Sequence, residues 1–390
     1  MPDLEGRFRQ ADDLPVEELW DDISTRRPRP SSPSAKGRTI VALSALGLAT
    51  MAILIAFKAF GGGAPAGPIV PSFSPVPHSN GDIAFVRGSM AIAGSSAQIY
   101  VVHPDGTDVR QITHGLHIGG GLAWSPEGRQ IAFVQTGGEF GPSNIYVIDS
   151  DGSGLRQLTQ GSRHDQSDAP SWSPDGSRIA FSASRFVGNS TQPSAIYLMD
   201  PSGGHLTRVA ECSQPRCSND GGYLDPAWSP DGSRIVFTES GDLLVVDLRT
   251  GRINTIVDCP DHEPGLCLAY QPSWSPDGHR ILFALNEPFG SKQNPSNAGS
   301  TVSVAVVDAD GRGMRSLFTT RSAGANILEP GWSPDGRFVV FSLHEAAPTA
   351  GSQLQSTVIV MDPDGQHQRA VVSSLGLQDQ TCCPAWQPRP

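Results

Sequence analysis

Charge is scarce in this chain of 390 residues: Asp, Glu, Lys and Arg together make up 17%, and the 28 basic residues are outnumbered by 39 acidic ones, a net charge of −11. No cluster of Lys and Arg interrupts the larger part of the chain, so the counter-charges that a phosphate backbone requires are missing and a nucleic-acid partner is disfavoured. Tyr and Met are few, at 5 and 6, and no cysteine precedes Cys212. The Gly-x-Ser-x-Gly elbow of an α/β-hydrolase is absent, and no α/β region is left to hold one. What abounds is glycine and proline, 43 and 33 residues, the profile of many strands joined by turns.

One long apolar run stands out, Thr39 to Phe57, long enough to cross a bilayer as a helix. Arg26, Arg27, Arg29, Lys36 and Arg38 precede it, and only Lys58 follows before Asp82. That bias predicts a single transmembrane helix over 38–60, with the N-terminus cytoplasmic and the rest extracytoplasmic. A cleaved signal peptide fits less well, because the charged region ahead of the run is already as long as a whole signal peptide, roughly 15 to 30 residues. All six cysteines lie beyond the run, as expected in an oxidising compartment. Cys212 with Cys217, and Cys259 with Cys267, are each spaced to close a short loop, with cross-loop pairs left open. The adjacent Cys382 and Cys383 are left open between a vicinal bond and separate partners.

The most informative pattern is a repeated phrase. Trp-Ser-Pro-Asp-Gly begins at Trp172, Trp228, Trp274 and Trp332, with Glu for Asp after Trp124 and a worn copy at Trp386. Intervals of 46 to 58 residues mark a repeat architecture. After each phrase comes a strand such as Arg178-Ile-Ala-Phe-Ser, a variable loop, a strand such as Ala195-Ile-Tyr-Leu-Met-Asp, a second turn and a short last strand, four strands per repeat. Asp-Gly supplies the positive φ of a tight hairpin. Runs such as Ile281-Leu282-Phe283 are apolar on both faces, as in sheets stacked around an axis, and each motif Trp is expected to pack between neighbouring sheets.

The repeats begin at Asp82-Ile-Ala-Phe-Val, which lacks a Trp phrase, and end at Pro384-Ala-Trp-Gln-Pro, which lacks a following strand. The two ends are expected to complete one blade, leaving no open sheet edge. The expected fold is therefore all-β: a six-bladed β-propeller of four-stranded blades over 81–390, preceded by the membrane helix and by a Gly/Pro/Ser-rich tether over 61–80.

From Gly81 to Pro390 the chain resembles the TolB-type six-bladed propeller family, whose signature is Pro-x-Trp-Ser-Pro-Asp-Gly followed by Arg-Ile-Ala-Phe. That family includes periplasmic protein-binding propellers and non-catalytic propellers fused to serine peptidases. The resemblance implies binding or gating more than chemistry.

Both Asp-Gly hairpins of a blade are expected on one face of the disc, and the loops that vary in length on the other. A rigid scaffold with variable loops is how binding sites are commonly built. The candidate ligand-binding residues are Arg163, His164, Asp165, Arg185, Arg216, Tyr223, Asp261, His262, Glu263 and His344 in those loops. Asp168, Asp225 and Glu329, just before the Pro-x-Trp strands, are placed to ring the channel mouth, with loop-capping hydrogen bonds as the plainer alternative. No catalytic residue, metal or cofactor is implied. His114 and His117 have ligand-like spacing but lack further ligands, and the Asp-x-Asp-Gly turns lack the acidic twelfth residue of a calcium loop.

Residues 1–37 run from acidic to basic, and Val16, Leu19, Trp20 and Ile23 at helical spacing behind Pro15 predict a short amphipathic helix. Leu4 to Arg29 is similar to the N-termini of bacterial membrane proteins associated with sigma-factor regulation. Three readings follow. The leading one is a membrane-anchored propeller of the cell envelope that binds a protein, peptide or glycan. The others are a propeller hydrolase or lyase with its site at the channel mouth, and a transmembrane regulator with a cytoplasmic protein partner at residues 1–37.

Overall fold

A computed structural model describes residues 80–89, 97–137, 141–161, 166–184, 186–187, 190–191, 194–211, 225–259, 267–289, 299–322, 324–346, 354–375 and 379–388. The apolar run, the 1–37 segment and most of the tether lie outside these residues. The described chain is all-β, without a helix.

The 268–320 unit shows the plan. Leu268–Trp274, Arg280–Phe289, Gly299–Asp308 and Arg315–Thr320 pair antiparallel in chain order. Units 118–157, 166–211, 227–257 and 326–375 follow the same order, the first two joined by a parallel contact of Ser143 with Gln166. The remaining sheet is built from both ends of the repeat region: the last strand, Gln380–Trp386, pairs with Ile83–Gly88, in the register Ile83 to Trp386. The Gln387 N–H donates to the Asp82 carbonyl (2.8 Å), extending that seam. The inner strands Ile118–Trp124, Gln166–Trp172, Ala227–Trp228, Leu268–Trp274, Asn326–Trp332 and Gln380–Trp386 touch in sequence, the last against the first, and so close a ring around an axis.

The chemistry of the repeated phrase explains its turn. Ser173, Ser229, Ser275 and Ser333 each donate a hydroxyl hydrogen bond to the Asp two places on, at 2.5 to 2.7 Å. The same hydroxyl oxygens accept the N–H of Arg178, Arg234, Arg280 and Phe338, at 2.9 to 3.0 Å. The turn is thus stapled by side chains, and these bonds hold the Asp175 and Asp231 carboxyls down at about 2. The two hairpins of a unit lie side by side: Ala309 N–H donates to the His279 carbonyl (2.8 Å), and Ser150 N–H to that of Arg129 (2.8 Å).

Between sheets, second-strand residues fill the core from both faces; Ile281, Leu282 and Phe283 are all fully buried. Trp124, Trp172, Trp274, Trp332 and Trp386 are buried, and Trp228 is partly so. The Arg280 guanidinium covers the Trp332 ring of the next unit at 4.7 Å, and Arg234 covers Trp274 in the same way. Trp332→Ala is expected to lower the unfolding free energy by about 3 to 5 kcal/mol. An unchanged urea midpoint would place that indole outside the core.

Cys259 and Cys267 form the expected disulfide, and Cys382 bonds to its neighbour Cys383. Cys212 and Cys217 lie outside the described residues.

Candidate functional site: the neck around the axis

Every inner strand bends at the same place. The residue three positions before each motif Trp has positive φ: Gly121 (62°), Ala169 (49°), Asp225 (22°), Gln271 (52°), Glu329 (48°) and Cys383 (62°). In the inner strands of units 118–157, 166–211, 268–320 and 326–375 and of the closing sheet, the ladder register shifts there. Five of the six are non-glycine residues directly before Pro, a position that ordinarily favours extended backbone. Such a conformation costs about 1 to 3 kcal/mol and persists only where surrounding contacts enforce it.

Those contacts form a chain around the axis. Gln271 N–H donates to Asp225 Oδ2 (3.2 Å), and Glu329 N–H donates to Gln271 Oε1 (2.8 Å). In the closing sheet the corresponding side chain is Cys383, whose sulfur is committed to Cys382. Glu329, the longest of these acids, reaches past it to accept the Gly121 N–H (3.3 Å). Asp168, one place earlier in its strand, accepts the N–H of Ala169 (2.8 Å). A β-carbon added to Gly120 would lie 3.3 Å from the Cys383 sulfur and 3.9 Å from Glu329 Oε1, so disulfide and carboxyl flank one point of the neck.

Asp168, Asp225 and Glu329 are half-buried. Burial pushes Glu329 up to about 8, with the Asp225 and Asp168 charges adding and the Gly121 bond opposing. Burial also raises Asp225 to about 7, helped by Asp168, and raises Asp168 against its Ala169 bond. At neutral pH the three carboxyls therefore carry fewer than three charges. Tyr270, next to Gln271, has its phenol raised by burial; its Oη lies 3.0 Å from Asn326 Oδ1 and 3.1 Å from the Ile327 carbonyl oxygen. The arrangement can hold or release protons near neutrality, but one oxygen of each acid already accepts a structural N–H. Among the described residues no three His, Cys, Asp or Glu side chains stand together in a group able to hold a metal ion.

Asp168 and Glu329 lie within inner strands rather than in the loops before them, and they make the N–H bonds of the plainer expectation, now between units as well as within one. His344 is a correction. It belongs to the strand Val339–Ala346, is 8% exposed, and its Nε2 lies 2.8 Å from the Thr381 carbonyl oxygen. A carbonyl only accepts, so Nε2 carries the hydrogen, and burial lowers the imidazole's pKa. His344 is thus a neutral core histidine between the 326–375 unit and the closing strand. Arg163, His164, Asp165, Arg185, Arg216, Tyr223, Asp261, His262 and Glu263 lie outside the described residues. Sequence reasoning missed Gln271, Gly120, Gly121 and the Cys382–Cys383 bond as parts of the neck. Aligning the residue before each Pro-x-Trp would have placed Gln271 and Cys383 beside Asp225 and Glu329.

Residues 68–242 match the family described as the TolB beta propeller domain. The chain carries a TolB-type β-propeller. A stretch of 80 residues is 31% identical to the Tol-Pal system protein TolB of Blochmanniella pennsylvanica, covering 20% of this chain and 16% of that protein, so the match spans only a small part of the relative. Among solved structures, TolB from Acinetobacter baumannii superposes with a TM-score of 0.57 at 20% identity, covering 80% of this chain and 68% of that one. A putative TolB from Agrobacterium tumefaciens gives 0.51 at 18% identity, over 78% and 98%. At such identities the likeness establishes the fold. In this TolB-type propeller, acids, an amide and a vicinal disulfide occupy equivalent places around the neck.

Proposed function

We propose that the chain is a six-bladed, membrane-anchored propeller of the cell envelope that binds a protein, peptide or glycan through its loop-rich face. The observation that carries this reading is how the chain divides its polar chemistry. On the hairpin face the motif Ser and Asp side chains are committed to one repeated hydrogen-bonded turn. At the axis the acids accept backbone N–H groups. Length variation and the remaining titratable loop residues fall at the other ends of the strands, where a scaffold presents recognition surface. The apolar run from Thr39 to Phe57 and the basic residues ahead of it support an anchor with the propeller outside the cytoplasm.

The test is capture from an envelope extract by the full chain in detergent, compared with a triple variant Asp261→Ala, His262→Ala, Glu263→Ala and with the hairpin-face variant Asp151→Ala. The expected result is at least a tenfold loss of the captured partner in the loop variant alone. Equal capture by all three would refute the choice of face. Turnover of a panel of esters and glycosides by the wild type, abolished in the loop variant, would replace binding by catalysis.

A further inference from the structure

Between units 268–320 and 326–375 lies an open depression of about 550 Å³, lined by Arg280, Arg315, Arg337, Phe338, Asp362 and Asp364 among others. That volume falls within the roughly 300 to 1,000 Å³ of small-ligand sites. Three guanidinium groups meeting in a chain of net charge −11 call for a physical reason.

At several other junctions arginines in the same rows are engaged, whereas Arg369, which opens its last strand as Arg315 does, lies near the charges of Asp105 and Asp362 with Nη2 buried and without a hydrogen-bond partner. Arg110, which opens a last strand as Arg315 does, pairs with Asp82 (2.5 Å), and Arg156 donates to the Pro201 carbonyl (3.3 Å). Arg178, in the place of Arg280, donates to the His205 carbonyl (3.2 Å), and Arg208 pairs with Glu211 (3.0 Å). The turn position of Arg337 is Ser177, Ser233 and His279 in three other units, and Arg129 in the fourth. Only at the 268–320 and 326–375 junction do all three places hold arginine.

Here the side chains of Arg315 and Arg337 make no hydrogen bond among the described residues, although the Arg337 charge acts on the Asp335 carboxylate of its own turn. Arg280 is held in place, stacked on Trp332 at 4.7 Å and 3.9 Å from Asp277. Four carboxylates stand beside the three cations, and each already accepts another group: Asp277 and Asp335 accept the hydroxyls of Ser275 and Ser333. Asp362 Oδ2 is 2.6 Å from His367 Nδ1 and also feels the charge of Arg369, while Asp364 Oδ1 accepts the Gln366 N–H (2.9 Å). Planar guanidinium groups whose N–H donors are not taken up by hydrogen bonds, beside a half-buried phenyl ring, are suited to a carboxylate or phosphate bound by paired N–H donors.

We propose that this depression is an oxyanion-binding site, with Arg315 and Arg337 as the gripping groups and Arg280 as the fixed one. It lies on the hairpin face and is independent of the ligand assigned to the loops. Thermal-shift and calorimetric titrations of the full chain in detergent, with pyrophosphate and with citrate at constant ionic strength, provide the test. The expected result is a saturable rise in melting temperature with at least one of the two; which one responds identifies phosphate or carboxylate as the preferred group. Arg315→Ala with Arg337→Ala should weaken the response at least tenfold, and Arg129→Ala should leave it unchanged. Absence of any saturable shift overturns the proposal, and so does an equal shift in the double variant or an equal loss in Arg129→Ala.

Discussion

Glu329→Gln is expected to stabilise the protein at pH 8. The Glu329 carboxyl stands at about 8 in the folded chain, well above the roughly 4.3 of an unfolded glutamate. Between those values the native state keeps a proton that the unfolded state has released, so stability falls as pH rises. The contribution is whole below about pH 4 and lost as pH passes through about 8. Asp225, at about 7, acts with the same sign over a slightly lower window. Together they should cost the wild type on the order of a few kcal/mol between pH 4 and pH 8. In the Glu329→Gln variant the amide oxygen still accepts the Gly121 N–H, but the side chain never ionises. Its melting temperature should match the wild type near pH 4 to 5, exceed it by several degrees at pH 8, and vary less with pH. Glu329→Ala, which removes the acceptor, should be less stable than Glu329→Gln at every pH. Parallel pH curves for wild type and Glu329→Gln would show that the neck does not store protons.

Gly365→Ala is expected to be the most damaging single methyl addition on the hairpin face. Gly365 has φ +85°, and a β-carbon there would overlap the Leu317 carbonyl oxygen of the neighbouring unit. Backbone is on the receiving side, so relief requires the two units to part. The expected loss is about 3 kcal/mol or more, combining left-handed backbone strain with overpacking. Gly324, at φ +70° with nothing within 4 Å, isolates the strain: Gly324→Ala should lose only about 1 kcal/mol. Similar losses for the two variants in urea unfolding would mean that the junction between units yields and does not clamp.

The neck shows where sequence reading stops. Asp168, Asp225 and Glu329 were legible as a set because each stands close before a Pro-x-Trp, but their register was not. A shared positive-φ position places Asp225 and Glu329 level with Gln271 and Cys383, while Asp168 sits one position away. His344 read as a loop group because it adjoins the long variable segment Glu345 to Gln355, yet pairing with Ser356 extends the strand past it and carries it into the core. The arginine depression left no motif, since its residues come from two repeats.

By itself the sequence determined what is local. The repeated phrase carries its own turn, with the Ser, Asp and Gly of each copy meeting within a few residues, and the apolar runs that follow can only be strands buried on both faces. The incomplete first and last repeats likewise implied their own pairing. The tertiary structure alone decided what happens where repeats meet. Glu329 caps Gly121 across 208 positions of chain, and Arg315 and Arg337 share one depression because ring closure brings the edge of one sheet against the turns of the next. Such contacts depend on the rotation between neighbouring sheets and on which side chain is long enough to span it, and neither is written in the order of residues along one strand.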